Sequence, residues 1–238
     1  MIGIFKGFKK SKLVKPLTIF YFFIAFVEII AELNQDSDVI LLTKPLLMPV
    51  LIGVYGCSSK KNNQLFTFSL LAAWIANILF ISNATPLIFA GVVFFLIYRL
   101  LVVSQVLRVT KFPGFLPMAI GCMPFLFLYL FIANLMHQAW RENFMLFIVH
   151  GCLLILFGGF CFGNYILKTN QSNTCLLIST ILITAAQFLI VIKFFYSSYP
   201  IFQPLMMVCF VCGQYLLFKY IVLEERKKRR YKSIYKKG

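Results

Sequence analysis

Two carboxylates, Glu28 and Glu32, lie four residues apart inside an apolar run and so share one face of any helix that the run forms. Paired carboxyls can divide acid–base work, one delivering a proton while the other stabilises a cation or activates water. Further apolar runs carry Lys44, Asn77, Arg99, Gln105, Asn134, His150, Asn164, Gln187, Lys193, Gln214 and Lys219. The basic members suit a phosphate, and the amides suit a polar linkage. A polar side chain held in hydrocarbon needs a partner or a wet cavity, which makes each one a candidate functional residue. Lys219 is set aside, because a lysine near a helix end snorkels to the interface.

The elements that must position these groups are apolar stretches at 16–33, 39–56, 65–82, 86–108, 113–135, 144–168, 174–196 and 200–223, which occupy nearly the whole chain of 238 residues. About 20 helical residues at about 1.5 Å each span a hydrocarbon core about 30 Å thick. The fold class is therefore all-α, a polytopic bundle of eight transmembrane helices. A hydrophobic content of 61%, a charged content of 13% and a mean hydropathy of +0.89 exclude a soluble globular domain. A transmembrane barrel needs alternating apolar and polar residues, and runs such as Leu87 to Leu96 do not alternate. The expected organisation is a basic N-terminal segment (1–15), one transmembrane domain (16–223) and a basic tail (224–238). The first apolar run ends without a small-residue cleavage site and reads as a retained helix.

The net charge of +16 could suggest nucleic acid, but its distribution points to a membrane surface. With the N-terminus inside, the inner segments hold Lys6, Lys9, Lys10, Lys12, Lys15, Lys60, Lys61, Arg108, Lys111 and Lys168. The tail adds Arg226, Lys227, Lys228, Arg229, Arg230, Lys232, Lys236 and Lys237, so eighteen of the 23 Lys and Arg are inside and only Arg141 is in an outer loop. This bias predicts both termini in the cytoplasm and a multi-pass protein of the cell (inner or plasma) membrane. The basic termini are expected to meet anionic headgroups, with no nucleic-acid partner.

The seven cysteines fall within or at the ends of spans, so no disulfide framework is expected. Cys209 and Cys212 have redox spacing but no nearby His or acidic partner, and read as small packing residues. No His/Cys/carboxylate spacing resembles a metal site, and no metal or cofactor is predicted; His137 is expected in an outer loop and His150 in the core.

Under this topology Glu32, Lys44 and Lys193 fall in the outer half of the bilayer, and Glu28, Asn77, Arg99, Gln187 and Gln214 near its middle. One cavity open to the outer face would satisfy them together. Private pairing, Glu28 with Arg99 or Glu32 with Lys44, would instead lock helices without chemistry. For single amides such as Asn134 and Asn164, packing and interhelical hydrogen bonding is the expected role.

The order of several short elements resembles the YhhN-like family, the lysoplasmalogenases. Thr43-Lys44-Pro45-Leu46-Leu47-Met48-Pro49 is similar to the family's Lys-Pro element opening its second helix. Ala76-Asn77-Ile78-Leu79 stands where the family usually has Gly-Asp, and Phe89 and Gly91 precede Arg99, where a His is common. Ala186-Gln187-Phe188-Leu189 parallels a Ser-Asp element, and Gly213-Gln214-Tyr215-Leu216 the closing Ala-Gln element. The resemblance covers about 40 to 223. The elements Ala76-Asn77 and Ala186-Gln187 also hint at two equivalent halves built around the third and seventh helices.

The activity that this resemblance implies is hydrolysis of the vinyl-ether bond of lysoplasmalogens to a fatty aldehyde and a glycerophospho head group. Protonation at carbon gives an oxocarbenium ion that water captures. Both family Asp positions are amides here and the His position is Arg99, so the usual acid–base machinery is missing from its places. Glu28 is the central carboxyl that could replace it. The expected site thus has Glu28, Asn77 and Gln187 in the catalytic positions and Lys44, Arg99, Lys193 and Gln214 binding an ether lipid or lysophospholipid. The alternatives are a non-catalytic protein that binds a lysolipid or fatty aldehyde, and a lipid transporter, for which Pro117, Pro124 and Gly158-Gly159 would allow broken helices.

Overall fold

The computed structural model describes residues 2–59, 63–82, 84–135, 144–195 and 199–234. Lys60, Lys61, His137, Arg141, Lys236 and Lys237, which enter the charge and loop readings, lie outside the described residues. Among the described residues there are eight α-helices and no strand: α1 (Ile2–Asn34), α2 (Ser37–Ser58), α3 (Gln64–Leu79), α4 (Thr85–Leu107), α5 (Phe115–Leu135), α6 (Phe144–Leu167), α7 (Gln171–Phe195) and α8 (Phe202–Ile234). Each expected apolar stretch has its helix. The basic segments at both ends are helical as well, continuous with α1 and α8.

Seven helices are long and apolar enough to cross a bilayer; α3, with 16 residues, is shorter. It spans about 24 Å at about 1.5 Å per residue, less than a hydrocarbon core of about 30 Å. The expected third span ran to residue 82, but the helix ends at Leu79, where Phe80 takes the C-cap position. Large apolar side chains face outward, among them Ile19, Phe23, Phe115, Phe127 and Met145, while Glu28, Glu32, Lys44, Arg99 and Gln214 are buried. Apolar outside and charged inside is the arrangement that acyl chains select and water would not. The protein is a helical membrane protein.

The chain forms two compact units. The first comprises the residues up to Val109 together with the segment from Glu224, and the second is Thr110–Leu223. In the first unit, α1 packs on α2, α2 on α3 and α3 on α4. Gln35 adopts a positive φ of 56°, a left-handed turn that reverses the chain, and Asp36 caps α2 by accepting from the Val39 N–H at 3.2 Å. The tail joins this unit through Glu225, whose carboxylate accepts from Tyr55 Oη at 2.6 Å and from Ser59 Oγ at 2.5 Å.

The second unit is built on close backbone approach. Gly121 of α5 faces Gly159 and Gly163 of α6, so near that a Cβ at Gly121 would stand 2.6 Å from the Gly159 carbonyl oxygen. Small residues let membrane helices meet in this way. Phe125, Ile132, Leu154 and Phe188 fill the adjoining core. On α7, Ser179 Oγ donates to the Gly213 carbonyl of α8 at 2.7 Å.

Candidate functional site

Tyr21, Ile24, Ala25, Glu28, Ala31 and Glu32 form the buried stripe of α1, at spacings of three and four residues that place them on one helical face. On α2, Thr43, Lys44, Leu47, Met48, Leu51, Val54 and Tyr55 are buried. The hairpin turn at Gln35 and Asp36 makes Glu28 and Thr43 equally distant from the reversal, so antiparallel packing brings them level.

At this level the two helices share a compact polar cluster. Lys44 Nζ lies 2.5 Å from Glu32 Oε1 and 3.8 Å from Glu28 Oε1. The Thr43 hydroxyl is hydrogen-bonded to Glu28 Oε2, and its oxygen is also 2.8 Å from the Val39 carbonyl. The pairing of Glu32 with Lys44, the private arrangement considered from sequence, is therefore present. It is not closed on itself, because the same ammonium also faces Glu28. Glu28 has no solvent exposure, and its Oε1 accepts no hydrogen bond among the described residues.

Asn77 (α3) and Arg99 (α4) belong to the same unit and are 6% and 3% exposed. Trp74, one turn before Asn77, donates its indole N–H to the Pro45 carbonyl at 2.7 Å. That carbonyl would ordinarily accept from the residue four positions on, which is Pro49 and has no N–H. The indole thus satisfies an acceptor that the Lys-Pro element leaves open, and it fixes α3 on α2. Asn77 Nδ2 is buried and finds no acceptor among the described residues.

Gln187, Lys193 and Gln214 lie in the second unit. Gln214 is fully buried, and Lys193 Nζ donates to Gln203 Oε1 at 2.7 Å. His150 is half-buried on α6. Asn164 donates its amide to the Phe160 carbonyl of its own helix at 2.9 Å, while its own carbonyl accepts from Asn173 Nδ2 at 3.0 Å; both are structural contacts.

Sequence reasoning missed Thr43, Gln203 and Glu225 as partners of these groups. The first had a usable signal in its symmetry with Glu28 about the turn. Gln203 and Glu225 had none, since hydropathy does not identify which hydroxyl or amide a buried charge will meet.

Apolar helices around a buried carboxylate–ammonium cluster define a polytopic α-helical membrane protein. The chain belongs to the YhhN family, whose model matches residues 39–221. The match takes in Lys44, Asn77, Arg99, Gln187, Lys193 and Gln214 but begins after Glu28 and Glu32. No curated protein and no solved structure matches the chain.

Proposed function

We propose that this protein takes a single-chain ether lysolipid into its first unit and hydrolyses the vinyl-ether bond, with Glu28 as proton donor. The observation that carries the reading is the environment of Glu28, a fully buried carboxyl with Oε2 held by Thr43 and Oε1 left without a hydrogen bond. A general acid must have an oxygen available to the reacting atom, and a fixed second oxygen orients it. Transfer of the proton to the vinyl carbon places positive charge on the ether carbon and oxygen. Water adds at that carbon and gives up a proton that returns to the Glu28 carboxylate, and the resulting hemiacetal collapses to an alcohol and a fatty aldehyde. Glu32, held by Lys44, supplies fixed negative charge near the developing cation. Arg99 is the cation of this unit assigned to the lipid phosphate.

The amides at 77 and 187 and the arginine at 99 favour a second reading, in which the chain binds the lysolipid without turning it over. One experiment separates the two. Purified protein incubated with lysoplasmalogen should release aldehyde above a detergent blank, and Glu28→Gln should lower that release by about 100-fold or more, the usual weight of a general acid. Release at blank level with the lipid still retained selects the binding reading. An unaltered rate in Glu28→Gln removes Glu28 from the chemistry.

The excess of basic residues in the termini and alternate connections supports a cytoplasmic location for both ends in the cell membrane. Impermeant thiol labelling of a cysteine placed at each terminus should fail in intact cells and succeed after lysis; labelling in intact cells reverses the orientation.

A further inference from the structure

Lys44 puts a primary amine inside the buried cluster that α1 and α2 share. It is 2% exposed, and its Nζ stands 2.5 Å from Glu32 Oε1 and 3.8 Å from Glu28 Oε1. The chemistry proposed above uses Lys44 only as the charge that holds Glu32. An amine is also a nucleophile toward a carbonyl carbon, and a desolvated lysine beside an acid–base partner is the usual origin of a Schiff base. The position of Nζ supplies an electrophile. Glu28 protonates one vinyl carbon, and the carbon bonded to that one becomes the aldehyde carbon. The product carbonyl is therefore formed beside Nζ, on the scale of the separation of about 3–3.5 Å from which an amine attacks. Leu41, Leu42 and Leu46, which flank Lys44 on α2, are exposed to the acyl phase, the natural solvent of the alkyl tail.

We infer that Lys44 condenses reversibly with a long-chain aldehyde and holds it as a protonated imine paired with Glu32. The ligand class, a fatty aldehyde, rests on the hydrolysis reading above. The steps balance within the pair. Lys44 passes one proton to Glu32 Oε1, 2.5 Å away, and the neutral amine attacks the carbonyl carbon. The C–N bond forms, the carbonyl π pair moves to oxygen, and a proton passes from nitrogen to that oxygen, giving a carbinolamine. Glu32 returns its proton to the hydroxyl, the C–O bond breaks, water leaves, and the nitrogen lone pair closes the C=N bond. Ammonium and aldehyde thus become protonated imine and water, with no change of charge. The carboxylates that accommodate the first cation accommodate the second, and no buried charge is stranded. Burial keeps bulk water from the imine, so the reactive aldehyde is retained in the protein and is not released at once into the bilayer.

The test supplies the aldehyde directly, so it does not depend on turnover. Full-length protein in nanodiscs is treated with hexadecanal and cyanoborohydride, which reduces a protonated imine to a stable secondary amine, and the alkylated lysines are located by peptide mass spectrometry. Lys44 should be alkylated at least about tenfold more than the exposed Lys15 and Lys168, because the cluster holds its amine beside a proton acceptor. Glu32→Gln, which removes that acceptor, should lower alkylation at Lys44 by about tenfold or more. The wild-type map needs no variant and decides the matter even where Glu32→Gln does not fold. Alkylation of Lys44 equal to or weaker than that of the exposed lysines overturns the imine. Undiminished alkylation in folded Glu32→Gln overturns the proton transfer to Glu32. Aldehyde release from lysoplasmalogen without alkylation of Lys44 removes the imine and leaves the hydrolysis reading standing. Alkylation of Lys44 by hexadecanal without release from lysoplasmalogen supports the imine and removes the hydrolysis reading.

Discussion

The two units of this membrane protein are stabilised by different means. Every Asp and Glu among the described residues belongs to the first: Glu28, Glu32, Asp36, Asp38, Glu224 and Glu225. Its interior carries charge, with Lys44 between two carboxylates and Arg99 buried on α4. The second unit is held by glycine contacts between α5 and α6 and by hydroxyls that donate to backbone carbonyls, such as Ser179 to Gly213. Charge buried in hydrocarbon is costly to keep, whereas close packing of small residues is not. The contrast teaches that any proton-transfer chemistry drawn from described carboxyls is confined to the first unit. The second supplies amides, cations and a tightly packed frame.

The strongest way to break this comparison is to remove the shared cation. Lys44→Met leaves Glu32 and Glu28 buried without their ammonium, and should cost about 3–5 kcal/mol, the range for stranding one member of a buried ion pair. Thermal unfolding in detergent would register it as a large fall in midpoint. Adding Glu32→Gln should recover part of the loss, because the carboxylate nearer to the lost ammonium is then neutral while Glu28 is left in place. A single variant as stable as the wild type would mean that the cluster does not support the first unit.

Much of the frame behind this contrast was legible in the sequence. Apolar stretches end where Asn, Ser, Lys and Pro appear, and α2 to α7 begin and stop within a few residues of those points, since a hydrocarbon solvent leaves little choice of where a span can end. The shortness of α3 was not legible: Ile81 continues the apolar run after the helix has closed at Leu79. Nor was the continuation of α8 through its basic residues to Ile234, because charge ends a span without ending a helix. For the site, the face shared by Glu28 and Glu32 followed from their spacing, and pairing of Glu32 with Lys44 was one of two readings. The partners Thr43 and Gln203 required coordinates. Hydrogen bonding is decided by local direction, and composition carries none of it.

A matched pair of glycines sharpens the packing side. At Gly121 a Cβ would meet the Gly159 carbonyl oxygen at 2.6 Å, a backbone atom that cannot swing aside, while at Gly53 of α2 nothing lies within 4 Å. Gly121→Ala should cost about 1–3 kcal/mol through overpacking. Gly53→Ala should cost nothing, and its better helix propensity should add up to about 1 kcal/mol. Equal effects on the unfolding midpoint would remove close approach as the distinguishing feature of the second unit.

The smallest expected effect lies in the first unit, where a neighbouring helix mends a break in the α2 hydrogen-bond ladder. Pro49 has no N–H to offer the Pro45 carbonyl, and Trp74 of α3 supplies one. Trp74→Phe keeps most of the ring volume and removes the donor, so the carbonyl loses its partner at a cost of about 1 kcal/mol. In a Pro49→Ala background the same substitution should cost less than about 0.5 kcal/mol, because the new Ala N–H would bond the carbonyl within α2 and the indole would no longer be needed. A Trp74→Phe penalty that is identical in both backgrounds would show that the indole acts by filling space. The height of α3 against α2 would then rest on packing alone and not on this hydrogen bond.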